Sequence, residues 1–356
     1  MKIGIDIQTT LGQKTGFGFY VDNLVKAMQK IRGDNELAFF YPDSEHDLST
    51  PQRWWWDQIS LPKAAYKAKV DLLHQPAFSV PIWYPGKKIV TIHDTISLFY
   101  TDIPFVSRQY YAKWMPFSYN YGDHFITISN HSKKDIMERM HIPADKITVT
   151  YEAADERFRL PVSADKKHEV CAKYGIKPPF LLDVGTLNPR KNLEFLIKAF
   201  AKSIKHLDKP YQLVLTGKKG WHYDQLFKLV EDLGLNDRVI FTGYVDDDDK
   251  PALYHASTMF VFPSVYEGFG LPPLEAMTCG VPVISSNTSS LPEVVGDGGI
   301  SLDPHDEAEW VKSIIEVLSH EKLHHDLSER AAKQAAKFSW DRCAKETLAV
   351  YEMFKK

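Results

Sequence analysis

FVFPSVYEGFGLPPLEAMTCGVPVIS, residues 260–285, is the stretch on which the fold turns. An apolar run ends at Pro263, and a loop follows in which Glu267 stands beside Gly268-Phe269-Gly270 and Leu271. Pro272 and Pro273 then open a helix that carries Glu275, and a second apolar run resumes over 281–285. Proline fits a first helical turn because the N–H it lacks has no partner there. Strand, loop, helix and strand in this order make one βαβ unit with both strands buried. The glycines let backbone N–H groups approach a ligand, and the helix start offers free donors and a positive dipole to an anion. Two carboxylates beside an anion site repel phosphate, so their more sensible use is to accept hydrogen bonds from sugar hydroxyls. Taken singly, Glu275 reads rather as a helix-turn cap and Glu267 as solvated surface; their joint setting reverses this in favour of the ligand.

Working outward, the same alternation runs along the whole chain. Strands are expected over 2–7, 37–41, 71–74, 89–92 and 124–128, with helices over 19–31, 106–121 and 132–140. A second series has strands over 180–184, 212–216, 239–241, 259–261 and 281–285, with helices over 192–206, 224–233, 251–255, 274–278 and 307–320. This predicts an α/β protein of two doubly wound, Rossmann-like domains, 1–160 and 175–338, joined by a charged linker with a short lead-in helix. A last helix within 339–356 packs back on the first domain. Ligand belongs at the carboxyl ends of the strands, in a cleft that both domains face.

The composition of the 356-residue chain fits this picture. With 44% hydrophobic and 25% charged residues it is globular, neither disordered nor fibrous. A net charge of −3 argues against wholesale nucleic-acid binding. Cys171, Cys279 and Cys343 are odd in number and form no CxxC pair, so they suggest neither disulfides nor zinc but a reducing, cytoplasmic setting. The opening MKIGIDIQTT lacks a secretory pattern, and no apolar run reaches the roughly 18 residues of a membrane span. A soluble protein, at most resting on a membrane face, is expected.

Further candidates lie after strands. In LLDVGTLNPRKNLEFLIKAF, residues 181–200, Gly185-Thr186 end a strand and Arg190-Lys191 stand where a helix starts. Cations sit badly at a helix N-terminus unless an anion such as a diphosphate lies between them; the alternative is a solvated basic pair. Gly16-Phe17-Gly18 fails as a dinucleotide fingerprint, because the third glycine position is Val21, but stands as a flexible loop near phosphate. His93-Asp94 ends the strand 89–92 and reads evenly as a site pair or as strand-end structure. The acidic run 246–249 reads as helix-start acids rather than a metal site, GKKG at 217–220 lacks phosphate-loop spacing, and His324-His325 has no third ligand. Trp54-Trp55-Trp56 reads as packing. The stretch 104–121, PFVSRQYYAKWMPFSYNY, places apolar residues on several helical faces, so part of it should be exposed to a carbohydrate or a membrane headgroup region; the other reading packs the rings under loops.

Together, PSVYEGFGLPPLEAMTCGVPVI and VGTLNPRKN resemble family 4 glycosyltransferases, and the resemblance extends over nearly the whole chain. It implies the GT-B fold and retaining transfer of a hexose, of mannose or glucose type, from a nucleotide diphosphate sugar. The donor would be GDP- or UDP-linked and the acceptor a saccharide or lipid-linked saccharide in cell-surface polysaccharide synthesis, with contact at the inner membrane surface. Glu267 would bond the donor sugar and Glu275 the ribose. Arg190 and Lys191 would hold the diphosphate beside the amides of Phe269-Gly270-Leu271. His93, next to Asp94, would touch the reacting sugar, and the loop from Gly16 to Gly18 would cover the phosphates. The resemblance implies no metal and no cofactor. A non-hydrolysing nucleotide-sugar epimerase shares the two-domain plan and is the nearest alternative. A two-domain sugar-binding protein and a nicotinamide dehydrogenase are weakened by the basic pair and the failed glycine fingerprint.

Overall fold

A computed structural model describes residues 1–12, 16–99, 104–218 and 224–355. It divides into two compact units, residues 1–153 with 339–356 and residues 154–338. Each is built on one six-stranded, wholly parallel sheet covered by helices on both faces.

In the N-terminal unit, β1 (Lys2–Asp6), β2 (Glu36–Phe40), β3 (Leu72–Gln75), β4 (Lys87–Thr91), β5 (His124–Thr127) and β6 (Ile147–Val149) lie in the order β2-β1-β3-β4-β5-β6. In the C-terminal unit, β7 (Phe180–Val184), β8 (Gln212–Thr216), β9 (Val239–Gly243), β10 (Met259–Phe262), β11 (Val283–Ser286) and β12 (Ile300–Leu302) lie in the order β12-β11-β10-β7-β8-β9. Every residue of β3, β5, β8 and β10 is buried, as strands covered on both faces must be. Strand order reverses between β1 and β3 in one sheet and between β7 and β10 in the other. Diverging loops at such points leave crevices at the carboxyl ends of the strands.

The helix Trp340–Glu352 returns to the N-terminal unit. Trp340 meets the ring of Tyr20 at 5.9 Å, and the Tyr351 hydroxyl lies 2.6 Å from Nδ1 of buried His74.

The structure adds elements that periodicity does not show. β6 and β12 are three-residue edge strands, too short for a pattern. Residues 50–67 are helical despite Pro51 and Pro62, because each proline stands in a first turn, of Thr50–Trp55 and of Leu61–Lys67. A π-helical turn at Trp56–Ser60 joins them and shifts the helical register. The expected helix over 106–121 is built the same way, as Phe105–Gln109, a π-helical turn Tyr110–Trp114, and Met115–Tyr119. That shift is why its apolar residues fall on several faces of a single helical wheel. A further helix, Glu321–Ala335, packs on the helix Leu271–Thr278 and on the turn Gly296–Gly298.

Candidate active site

The site in the C-terminal unit begins where β7 and β10 lie side by side. Beyond β7, Gly185 carries no side chain because Lys191 folds back over it: a Cβ there would come within 2.7 Å of Lys191 Cε. Arg190 and Lys191 sit in a separate 3-10 turn, Pro189–Lys191, and left-handed Asn192 divides them from the helix Leu193–Ser203. The pair therefore precedes the helix start expected from the sequence. Thr186 is exposed on the same loop. Beyond β10, the chain runs through Ser264 to Glu267 and turns at Gly270, whose φ of +123° favours glycine, into the helix Leu271–Thr278.

These two loops meet through Glu267, which is 9% exposed and so is not the solvated surface residue of the alternative reading. Its Oε1 takes Arg190 at 2.6 Å, Lys191 Nζ at 2.7 Å and the Ser264 hydroxyl at 2.6 Å. Arg190 also donates to the Tyr266 carbonyl. Burial works to raise the Glu267 pKa, but the attraction of Lys191 and Arg190 outweighs it and lowers the group to about 2. The glutamate backbone is fixed as well, its N–H donating to Ser289 Oγ at 2.9 Å and its carbonyl lying 2.9 Å from Ser290 Oγ. Among the described residues, Oε2 has no hydrogen-bond partner.

Beneath Lys191 lies Asp183, fully buried on β7 with neither carboxyl oxygen hydrogen-bonded. Burial pushes its pKa up to about 7, with Lys191 opposing and Glu267 adding to the rise. Near neutrality the cluster therefore holds two cations against one full and one partial negative charge. An anion is welcome there.

Glu275 stands in the middle of its helix and caps no turn. It accepts the Tyr254 hydroxyl at 2.7 Å, and desolvation pushes it up to about 7. Phe269 is buried against the ring of Phe338 at 5.8 Å, which anchors the Gly268–Leu271 corner rather than exposing the ring to ligand.

In the N-terminal unit, the structure brings Phe17 and Tyr20 onto His93, with ring centroids at 4.7 and 4.6 Å. Gly16 and Gly18 do not form a loop. They lie in the first turn of the helix Gly16–Ile31, and the residues just before them fall outside the described ones. His93 is buried, its Nε2 lies 2.9 Å from the Pro76 carbonyl, and its Nδ1 faces Glu152 Oε1 at 3.4 Å. A neutral ring that donates from Nε2 turns a lone pair toward Glu152, so the pair is attractive only with a further proton held between them. Asp94 accepts the Ile96 N–H at 2.8 Å and so starts the turn Ile96–Leu98.

The acids at 246–249 are ordinary ion-pair partners: Asp246 and Asp249 of Lys173, Asp247 of Lys250, and Asp248 of Arg157. Among the described residues no cluster of His, Cys, Asp and Glu could hold a metal. Of the tryptophans, Trp56 donates to Asp6 and Trp54 packs on Trp114, whereas Trp55 stays exposed.

The sequence alone does not single out Asp183, Ser264 or Glu152. Asp183 does leave a trace, as the one charged residue in an otherwise apolar strand, FLLDV. Glu152 follows β6, a strand with no pattern to announce it.

Comparison with known proteins bears on the whole chain. The family model described as Glycosyltransferase Family 4 matches residues 16–158, and that of Glycosyl transferases group 1 matches residues 167–334. The O-antigen chain mannosyltransferase B of Escherichia coli is 36% identical over 79% of this chain and 74% of its own length. The serotype-specific mannosyltransferase WbdA of Escherichia coli is 35% identical over 72% of this chain, which spans only 32% of that longer protein. Anabaena HepE, solved in complex with UDP-glucose, superposes over 99% of each chain with a TM-score of 0.78 at 19% identity.

Proposed function

This chain belongs to the family 4 glycosyltransferases and has their GT-B fold, and from that premise we propose that it moves a hexose from a nucleotide diphosphate sugar to a hydroxyl of a saccharide or lipid-linked saccharide, with retention at the anomeric carbon. The observation that carries the reading is Glu267. Its Oε1 is held by three donors while Oε2 stays open beside Arg190 and Lys191, at the point where the strand order reverses. An acceptor that is fixed, ionised and desolvated is suited to sugar hydroxyls, and the adjacent cations are suited to diphosphate.

As the diphosphate leaves, negative charge grows on its oxygens. Arg190 and Lys191 stabilise that charge without reorganising, the role otherwise given to a divalent metal. Half-buried Glu275 is proposed for the ribose, and Thr186, Gly268 and the amides of Phe269-Gly270-Leu271 for the remaining donor contacts. The roles implied for His93, Asp94, Gly16 and Gly18 belong to the same proposal. The names of the relatives, two of them mannosyltransferases and one an O-antigen chain enzyme, favour mannose from a GDP- or UDP-linked donor and a place in surface polysaccharide synthesis. No helix among the described residues is long and apolar enough to cross a membrane, and the proposed site of action is the cytoplasm or the inner membrane face.

The test is to incubate the purified protein with a panel of nucleotide sugars and a mannoside, and to follow free nucleotide diphosphate and the anomeric configuration of the product. Release of diphosphate with an α-linked product from an α-linked donor supports the reading. Interconversion of the sugar without a transferred product would replace it with an epimerase.

A further inference from the structure

We propose that an aromatic groove on the N-terminal unit holds the hydrocarbon chain of a lipid-linked acceptor, with Lys113 of its lining, and Arg108 on the same broken helix, meeting the lipid phosphate. This rests on the glycosyltransferase reading above and adds to it the chemical class of the acceptor's carrier.

The groove lies between the helix Thr50–Trp55 and the broken helix that starts at Phe105. It encloses about 590 Å³, within the range of roughly 300–1,000 Å³ usual for small-molecule sites. Trp54, Val106, Tyr110, Trp114 and Phe117 make its walls. The polar atoms on those walls are mostly spent: the Thr50 hydroxyl pairs with Ser107 at 3.0 Å, and the Tyr110 hydroxyl turns inward to Asp57 at 2.6 Å. The Trp114 ring nitrogen is unpaired among the described residues, but it is shut away from solvent. A sugar in the groove would find only the Gln109 amide and the Lys113 ammonium, and most of its hydroxyls would lose water without replacement. Methylene groups lose nothing in such a place. The floor is already rigid, since Asp57 also takes Ser79 at 2.7 Å and Gln8 at 2.9 Å, so the groove need not be formed by its ligand.

Two further observations select a phosphate-bearing lipid. The rings form a ladder out of the groove, Trp54 to Trp114 at 5.6 Å, Trp114 to Phe117 at 5.8 Å and Phe117 to Tyr121 at 5.7 Å. Its outer end is open: Phe117 is 50% exposed and Tyr121 47%. Large rings at an apolar mouth suit a lipid–water boundary. Charge adds a sign. Residues 104–121 contain Arg108 and Lys113 and no acid, in a chain whose net charge is −3. Both cations are exposed, and among the described residues neither makes an ion pair.

The experiment measures binding of hexyl, octyl and decyl phosphate to the full-length protein by tryptophan fluorescence, with inorganic phosphate as the headgroup alone. Affinity should climb with chain length, by up to about fourfold per buried methylene, and inorganic phosphate should not bind measurably. Val106→Glu, at the exposed mouth, should weaken decyl phosphate about tenfold or more while leaving melting temperature and nucleotide diphosphate binding unchanged. The same variant should raise KM for a decyl phosphate-linked mannose acceptor and not for a water-soluble mannoside. Affinity independent of chain length, or a manno-oligosaccharide displaced by Val106→Glu, would make the groove a saccharide subsite and overturn the proposal. So would loss of binding to phosphatidylglycerol vesicles with unchanged KM for the lipid-linked acceptor, which would assign the groove to bulk membrane. Transfer to the water-soluble mannoside is scored separately: its absence sinks the glycosyltransferase reading of the donor and leaves the alkyl-phosphate result standing.

Discussion

Both units bury acidic side chains where their strand order reverses, but they surround them with opposite chemistry. In the C-terminal unit Glu267 and Asp183 lie against Arg190 and Lys191. In the N-terminal unit Asp6 at the end of β1 and Asp57 on the π-helical turn are bridged by Gln8, at 2.5 and 2.9 Å. Their other donors are neutral: Trp56 for Asp6, and Ser79, Tyr110 and Gln75 for Asp57. Burial pushes Asp6 up to about 6 and Asp57 up to about 7, the latter helped by the charge of Asp6. Cations hold Glu267 at about 2. The same crevice of the same fold is thus tuned two ways. Cations leave one cluster suited to the anion proposed for it, whereas neutral donors make the other a clamp between two broken helices and the sheet.

The sharpest way to break this contrast is to remove a cation. Lys191→Ala or Arg190→Ala should lower kcat/KM by about two orders of magnitude, the scale of one lost transition-state contact. Steady-state rates at near wild-type level in both variants would end the anion-site assignment. On the other side, Asp57→Ala takes an acceptor from four buried side chains, Gln8, Gln75, Ser79 and Tyr110, and should destabilise the protein by about 2 kcal/mol, measured by denaturant unfolding. Nucleotide diphosphate binding by the folded variant should be unchanged. Loss of that binding would show that the two networks are not the separate devices described here.

A smaller effect should appear in the pH dependence. Asp183 titrates near 7 in the folded protein and near 3.8 in an unconstrained chain. The folded state therefore binds the extra proton, and Asp183 costs nothing below about pH 4 and progressively more as pH rises to 7. Asp183→Asn should come nearest to the wild type at pH 4 and be more stable at pH 8 by about 1 kcal/mol, the linkage discounted for the attraction to Lys191 that is lost. Equal stability at both values would mean that Asp183 is ionised throughout. The smallest expected effect is none: activity should survive EDTA if Arg190 and Lys191 neutralise diphosphate as proposed. Loss on chelation with rescue by magnesium would reassign that task.

Much of this was legible from the chain, for a local reason. The 260–285 stretch announces strand, glycine corner and helix through its own punctuation, and β7 and β8 run where their apolar patterns predict. The glutamates and the basic pair are visible because loops after parallel strands carry ligand groups. What escaped is equally instructive. No helix is read from the sequence over residues 50–67, where Pro51 and Pro62 stand in first turns and a π-helical turn erases the period on which a helix is recognised. Three-residue edge strands carry no period at all.

The sequence by itself determined the alternation of strands and helices, and which residues would stand at strand ends, because those depend on period and on turn chemistry within a few residues. Only the tertiary structure decided that Arg190 and Lys191 would meet Glu267, since that contact spans 76 residues and exists because β10 pairs with β7 rather than following β9 outward. The same pairing shut Asp183 into the interior, and packing between two broken helices left the groove at Trp114 open. Hydrogen bonding along a strand is local, but which strand lies beside it is a property of the whole sheet.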